Sequence, residues 1–358
     1  MTSWSETNLY RIHKEVSGIL KESTHVLDSN GKDERWLITE QIDCVTYLLE
    51  IDTLTRNIIR SKSILFSLKE NSRTKQACAT KLGQKFLDCL NLDIARVRHH
   101  YPKHEFSPYF NLYEEHIADK GLTAITFNES TVDAFNTCVS SIRVGAKSKG
   151  FARALDHCKR SSRKTYAGLV KYIRGLHDHH SKLLVIRLDL GYQKQFCGSL
   201  EHDDPVSYSE AKQHRKSFIK YLKKEYSTDC LVGYVWKLEY GKIKSYHYHV
   251  LLLFNGQRVR EDITIARLLG EHWKNIITNG AGLYFNCNAK KFMYKNCGIG
   301  MISHDDAAMR KNLEEAVLNY LVKADYYIKF SVKGGRAFGK GALPKKSPSR
   351  LGRPRKAV

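Results

Sequence analysis

Residues 231–254 constrain the fold more than any other stretch. Two runs rich in β-branched and aromatic residues, Leu231–Tyr240 and Tyr246–Phe254, flank Gly241-Lys-Ile-Lys-Ser, a pattern that reads as a β-hairpin. The second run, Tyr246-His-Tyr-His-Val-Leu-Leu-Leu-Phe254, has histidines two residues apart, so strand alternation puts both imidazoles on one face. The first run is apolar around Lys237 and Glu239, and an antiparallel turn brings Glu239 near the histidine end of its neighbour. Glu239, His247 and His249 are therefore candidates to share a divalent cation. Two imidazoles and one carboxylate with open positions suit Mg²⁺ or Mn²⁺ when a phosphate supplies further oxygens, although these ligand types accept zinc too. The competing reading is a pair of partly buried, hydrogen-bonded histidines.

Around this hairpin the second half of the chain alternates strands and helices. Leu183–Leu190 reads as a strand and Tyr208–Tyr226 as a helix with Phe218, Tyr221 and Leu222 on one side. After the hairpin come a helix over Ile263–Ile277, short strands near Leu283–Asn286 and Ile299–Ser303, and a final helix opened by Asp305-Asp306 and running to about Phe330. The order β-α-β-β-α-β plus a helix is the ferredoxin-like split β-α-β pattern, an α+β fold with an antiparallel sheet and flanking helices. Residues 1–142 read as a mainly helical region, with periodic apolar positions such as Leu48, Leu49 and Leu54, or Phe86, Leu87 and Leu90. His99, His100 and His104 beside Tyr101 and Pro102 read there as a polar loop or solvated helix end. Residues 143–164, with eight basic side chains and one acid, are a linker or a basic helix. They open a second domain over 143–332, followed by a tail over 333–358.

Charge separates these regions. Residues 1–115 carry 16 basic and 16 acidic side chains, residues 116–332 carry 34 against 21, and residues 333–358 carry 9 against none, for a net +22. A positive field of this size attracts polyanions, and it belongs to the second half. The tail lacks the apolar residues needed to repay the entropy of folding and is expected to be disordered. Its Arg336, Lys340, Lys345, Lys346, Arg350, Arg353, Arg355 and Lys356 are candidate DNA contacts. Gly352-Arg-Pro-Arg-Lys356 also resembles the core of an AT-hook. The longest apolar run, Val250–Phe254, is far shorter than the roughly 20 residues of a membrane span, and the N-terminus has no signal-like apolar stretch, which makes the cytoplasm the expected compartment. Nine scattered cysteines without a CxxC pair do not form a disulfide framework or a zinc ribbon. An RNA-binding protein on a ferredoxin-like sheet is disfavoured, because no aromatic RNA-binding consensus is present.

The last helical stretch adds a nucleophile. Leu313, Val317, Tyr320, Ala324 and Tyr327 fall on one helical stripe, and Lys323 lies three residues after Tyr320 on a neighbouring part of the same face. A phenol needs a cation to lower the barrier to its ionisation, so a tyrosine beside a lysine and a metal meets the requirements of phosphodiester transesterification. Core tyrosines with satisfied hydroxyls are the plainer alternative.

Taken together, these motifs resemble the HUH endonucleases, the rolling-circle replication initiators of small phages, plasmids and single-stranded DNA viruses. The segment from about Leu183 to Gly339 is more closely similar to the YagK/YfjJ C-terminal domain family of prophage proteins. The stretches that carry the resemblance are Val185–Leu190, Val232–Gly241, Tyr246–His249, Gly298–Ile302, Tyr320–Asp325 and Arg336–Gly339. The resemblance implies that His247, His249 and Glu239 ligate Mg²⁺ or Mn²⁺ and that 143–332 is an HUH-type catalytic domain. It also implies that Tyr320 attacks a scissile phosphate, with Lys323 close by, to leave a 5′-phosphotyrosine and a free 3′-hydroxyl. The expected activity is then site-specific nicking and rejoining of single-stranded origin DNA by a rolling-circle initiator of a filamentous phage or prophage element, with a host helicase or polymerase as a further partner. Arg187 and Asp189 depart from the usual first initiator motif; for Asp189, contact with the metal and pairing with a base both stay open. Ala324 stands where many phage initiators carry a second tyrosine, leaving Tyr327 as the same-face substitute. A non-catalytic prophage DNA-binding or regulatory protein on the same fold is the alternative.

Overall fold

The structure, a computed structural model, describes residues 25–27, 34–36, 40–71, 74–118, 120–196, 205–241, 245–318, 321–322, 328–331 and 335–343. The chain divides into two compact units, residues 1–163 with 323–329 and residues 164–322 with 330–358. No helix among the described residues is long and apolar enough to cross a membrane.

The first unit has more strand than its apolar periodicity predicts. Helices span Glu40–Arg60, Lys81–Leu90, Ile94–His100, Pro108–Ile117 and Val132–Gly145, and they share a core of Leu48, Ile51, Phe86, Phe110 and Phe135. Between the first two helices, β3 (Phe66–Asn71) and β4 (Thr74–Ala79) pair as an antiparallel hairpin; β1 (His25–Leu27), β2 (Glu34–Trp36) and β5 (His104–Phe106) are further short strands. The hairpin escapes a search for helical periodicity because its pattern lasts only six residues per strand. His100, expected in solvent, is buried at 1% exposure on the inner side of its helix. The basic stretch 143–164 closes the helix Val132–Gly145, turns at 146–148 and enters the 31-residue helix Lys149–His179.

The second unit is mixed α/β, with an antiparallel sheet and flanking helices. Its strands are β6 (Lys182–Tyr192), β7 (Leu231–Gly241), β8 (Ser245–Asn255), β9 (Gly282–Asn286), β10 (Gly300–Ser303) and β12 (Phe338–Lys340); the short strand β11 (Ile328–Phe330), between β10 and β12 in sequence, lies outside this sheet. The sheet order is β10-β6-β8-β7-β12, and β9 also pairs with β6. β8 therefore lies between β6 and β7, which are joined by the helix Tyr208–Glu225, and all of these pairings are antiparallel. Ser207 caps that helix in a reciprocal box with Glu210.

Strand alternation sorts the side chains between two faces. Leu184, Ile186, Leu188, Leu190, Trp236, Leu238, Tyr248, Val250 and Leu252 share one core with Phe218 and Leu222 of the Tyr208–Glu225 helix and with Leu269 and Trp273 of the next helical segment. The opposite face is divided along its length. One end is apolar and backs onto the Leu169–Leu176 stretch of the long helix: Tyr172 Oη accepts from the Tyr234 N–H at 3.3 Å, and a Cβ on Gly233 would stand 2.7 Å from Leu176. The other end carries Arg187, Asp189, Lys237, Glu239, His247 and His249, the same alternation now placing ionisable groups together.

Two segments differ from their sequence expectations. Phe338–Lys340, inside the stretch expected to be unfolded, forms the edge strand β12; backbone pairing to β7, with Leu238 N–H donating to Ala337 O and Gly341 N–H to Tyr234 O, needs no large apolar side chains. The final helix does not reach Phe330. It opens on the Asp306 cap, runs over Ala307–Asn312, continues as a π-helical turn at Leu313–Leu318 and is helical again at 321–322, while Ile328–Phe330 forms β11, where β-branched and aromatic side chains override the helical spacing. Gly298 packs directly under this helix, since a Cβ there would lie 2.4 Å from Leu313 N. Gly298→Ala is expected to lower unfolding stability by about 1–3 kcal/mol, read as a shift of the urea midpoint; an unchanged midpoint would show that the helix moves aside freely.

Candidate metal centre

The two registers around β8 assemble the centre. Glu239 on β7 stands directly opposite His247, while His249 is flanked by Lys237 on β7 and Asp189 on β6. A one-residue slip of either neighbour would send these groups to the apolar face, so the alternating core residues hold the site in register. Glu239 Oε2 stands 3.2 Å from both His247 Nε2 and His249 Nε2. The three donor atoms lie within 4.8 Å of one another. Two imidazole nitrogens and a carboxylate oxygen converging on one point at the rim of a core fit a divalent cation.

Asp189 supports this set from the outside. Its Oδ1 is 2.7 Å from His249 Nδ1, which leaves the other ring nitrogen to face Glu239, and Arg187 Nη2 lies 3.4 Å from Asp189 Oδ2. An outer carboxylate that orients a ligand histidine is a recurrent companion of metal sites. Pairing, rather than a position among the three converging donors, is thus what the geometry gives Asp189.

Electrostatics make the cluster self-consistent without a cation. Burial opposes ionisation of Glu239, but Lys237 beside it, His249 and hydrogen bonds from both imidazoles outweigh this and hold its carboxyl well below the usual range. Burial likewise opposes charge on Asp189, where Arg187 and then His249 win. For His249 burial favours the neutral ring, yet the two carboxylates push its pKa up to about 9.

Lys237 is the member of the site that sequence reasoning passed over. It is 3% exposed, and its Nζ sits 2.6 Å from Glu239 Oε1. Its signal was present in the sequence, since a residue two before Glu239 shares its face. A buried ammonium against the carboxylate competes with a cation for the same charge. Lys237→Met is therefore expected to tighten Mn²⁺ binding about ten-fold or more by calorimetric titration; weaker binding would assign Lys237 to shaping the site.

The other expected site residues fall differently. Tyr320, Lys323 and Tyr327 lie outside the described residues, as do Lys345, Lys346, Arg350, Arg353, Arg355 and Lys356. The described residues on either side of Tyr320, Leu318 and Leu321, are buried, as is Val322 before Lys323. Arg336 is exposed, with its backbone N–H donating to Tyr208 Oη at 3.3 Å. Lys340 ends the edge strand with Nζ 4.5 Å from the Tyr172 ring centroid, at the apolar end of the face and away from Glu239. Tyr294, not singled out from sequence, stands close enough to Arg187 and Asp189 to feel their charge and is hydrogen-bonded to Cys287; burial, first, pushes its phenol up.

Comparison with curated proteins and with solved structures returned no match. The YagK/YfjJ C-terminal domain matches residues 151–341, more than half of the chain and every strand that carries the centre, and the chain therefore belongs to the YagK/YfjJ C-terminal domain family.

Proposed function

We propose that the second unit is an HUH-type nickase and strand transferase that initiates rolling-circle replication of a filamentous phage or prophage-like element. The observation that carries this reading is the convergence of Glu239, His247 and His249 on one point of an antiparallel sheet whose third strand is inserted between the first two. The net charge of +22, concentrated in the second half, supports a nucleic-acid substrate.

In this mechanism His247, His249 and Glu239 would hold Mg²⁺ or Mn²⁺, with Asp189 fixing the His249 ring. Such a cation would supply Lewis acidity toward a phosphate oxygen. Tyr320 Oη gives up its proton and attacks the scissile phosphorus as the bond to the 3′-oxygen breaks, leaving a 5′-phosphotyrosine while the departing 3′-oxygen takes up a proton to become the 3′-hydroxyl; Lys323 favours the phenolate. Attack of a 3′-hydroxyl on the phosphotyrosine reverses the step and rejoins the strand. Lys237 keeps Glu239 ionised, and Arg187 does the same for Asp189, which orients His249.

The direct test is incubation with single-stranded DNA from the parent element in Mn²⁺ or Mg²⁺, followed by a denaturing gel. A metal-dependent protein–DNA adduct is expected. One observation favours the second reading, a non-catalytic prophage DNA-binding or regulatory protein: Arg187 and Lys237 already pair with both carboxylates. Tight DNA binding without an adduct on any substrate would select it.

Residues 344–358 contribute affinity in either reading. They hold six basic side chains, so truncation after Leu343, which spares β12, is expected to lower the salt slope of single-strand binding by up to about four. An unchanged slope would free the tail from phosphate contact.

A further inference from the structure

Strand β6 has an interrupted partner. Its far half pairs with β9 at Leu188–Tyr192 and its near half with β10 at Lys182–Val185, so the chain between Asn286 and Gly300 leaves the sheet at the edge beside Arg187. A single side chain fills the gap. Asn288, fully buried, accepts from the Arg187 N–H through Oδ1 at 2.8 Å and donates through Nδ2 to Val185 O and to Asp262 Oδ2, both at 2.9 Å. Lys291 Nζ reaches the same Asp262 oxygen at 2.7 Å. The Cys287–Met293 turn is thus pinned to the sheet within one or two residues of Asp189, and Tyr294 leads back from it to Arg187 and Asp189.

What this pinned turn presents to solvent is unusual for a rigid element. Phe292 is 79% exposed and Met293 53%, and Lys295 beside them is exposed. Residues 287–303 contain Lys290, Lys291 and Lys295 and no acid. An aromatic ring held out on an anchored turn among lysines matches how single-stranded nucleic acid is gripped: bases stack on aromatic faces while cations follow the phosphates. Duplex DNA, whose bases are stacked on one another, has no use for the ring. A purely apolar protein partner has no use for the lysines.

We propose that Cys287–Lys295 is a docking surface for single-stranded DNA running to the metal centre, with Phe292 stacking on a base and Lys295 meeting a neighbouring phosphate. This rests on the single-strand reading above and extends it to where the strand lies.

The test uses the full chain, Mn²⁺ and a fluorescein-labelled mixed-sequence oligodeoxynucleotide, single-stranded or annealed, read by polarisation. Phe292→Ala should weaken single-strand binding about ten- to hundred-fold, change duplex binding little, and leave Mn²⁺ affinity untouched, whereas Phe292→Trp should retain binding. Lys295→Ala should lower the salt slope by about 0.7. If the wild-type chain binds the single strand and Phe292→Ala binds it equally, or loses duplex binding to the same degree, the docking surface is refuted while the nickase reading stands. If the loss is instead accompanied by a change from dimer to monomer in sedimentation, the patch is a contact between copies and the proposal fails. A wild-type chain that binds no single strand overturns both.

Discussion

Replacing Tyr320 by phenylalanine is expected to abolish covalent capture of single-stranded DNA, by about a thousand-fold or more, and to leave DNA binding within about two-fold. The substitution removes one oxygen, the atom that would form the bond to phosphorus in the proposed mechanism, and keeps the ring. Tyr248 and Tyr294, both on the sheet or beside it, are poor substitutes. Tyr248 donates its hydroxyl to Ala211 O on the apolar face, where burial pushes the phenol up, and Tyr294 is committed to Cys287 with its phenol likewise raised by burial. A denaturing gel of both proteins with labelled oligonucleotide and Mn²⁺ reads the result directly. Capture at the wild-type level would move the nucleophile to Tyr326 or Tyr327 and remove Tyr320 from the mechanism.

The parts of this protein that could be read from sequence are those where one physical pattern dominates. Alternation over eleven residues in β6, β7 and β8 is long enough to locate each strand and to place Glu239, His247 and His249 on a common face. What alternation cannot give is register between strands distant in sequence. That Asp189 lies beside His249, and not one residue along, is decided by the β6–β8 pairing across 60 positions, so its bond to Nδ1 was invisible. Lys237 was legible as sharing a face with Glu239, but its burial depends on the surrounding sheet and could not be read from the strand alone. The turn around Asn288 shows the limit most clearly, because a polar side chain standing in for strand backbone has no periodicity at all. The same holds for the β3–β4 hairpin, too short to outweigh the helical pattern on either side.

Removing His249 tests the other half of the chemistry. Its ring sits 1% exposed between Asp189 and Glu239, so His249→Ala deletes one of three converging donors and leaves two carboxylates facing a hole. Mn²⁺ affinity should fall by more than about a hundred-fold, beyond the 10- to 100-fold typical of losing a supporting residue, and metal-dependent capture should vanish with it. Asp189→Asn keeps an oxygen to accept from Nδ1 but not the charge, and belongs in the milder range. The ordering separates the two roles: equal losses for both variants would make Asp189 a ligand in its own right, and a milder loss for His249→Ala would mean that the cation is held elsewhere. Calorimetry or the paramagnetic signal of Mn²⁺ measures affinity without turnover, so the ranking does not depend on any DNA substrate. Capture that survives EDTA would dispose of the metal entirely, and Glu239, His247 and His249 would then be a hydrogen-bonded cluster that stabilises the polar end of the sheet.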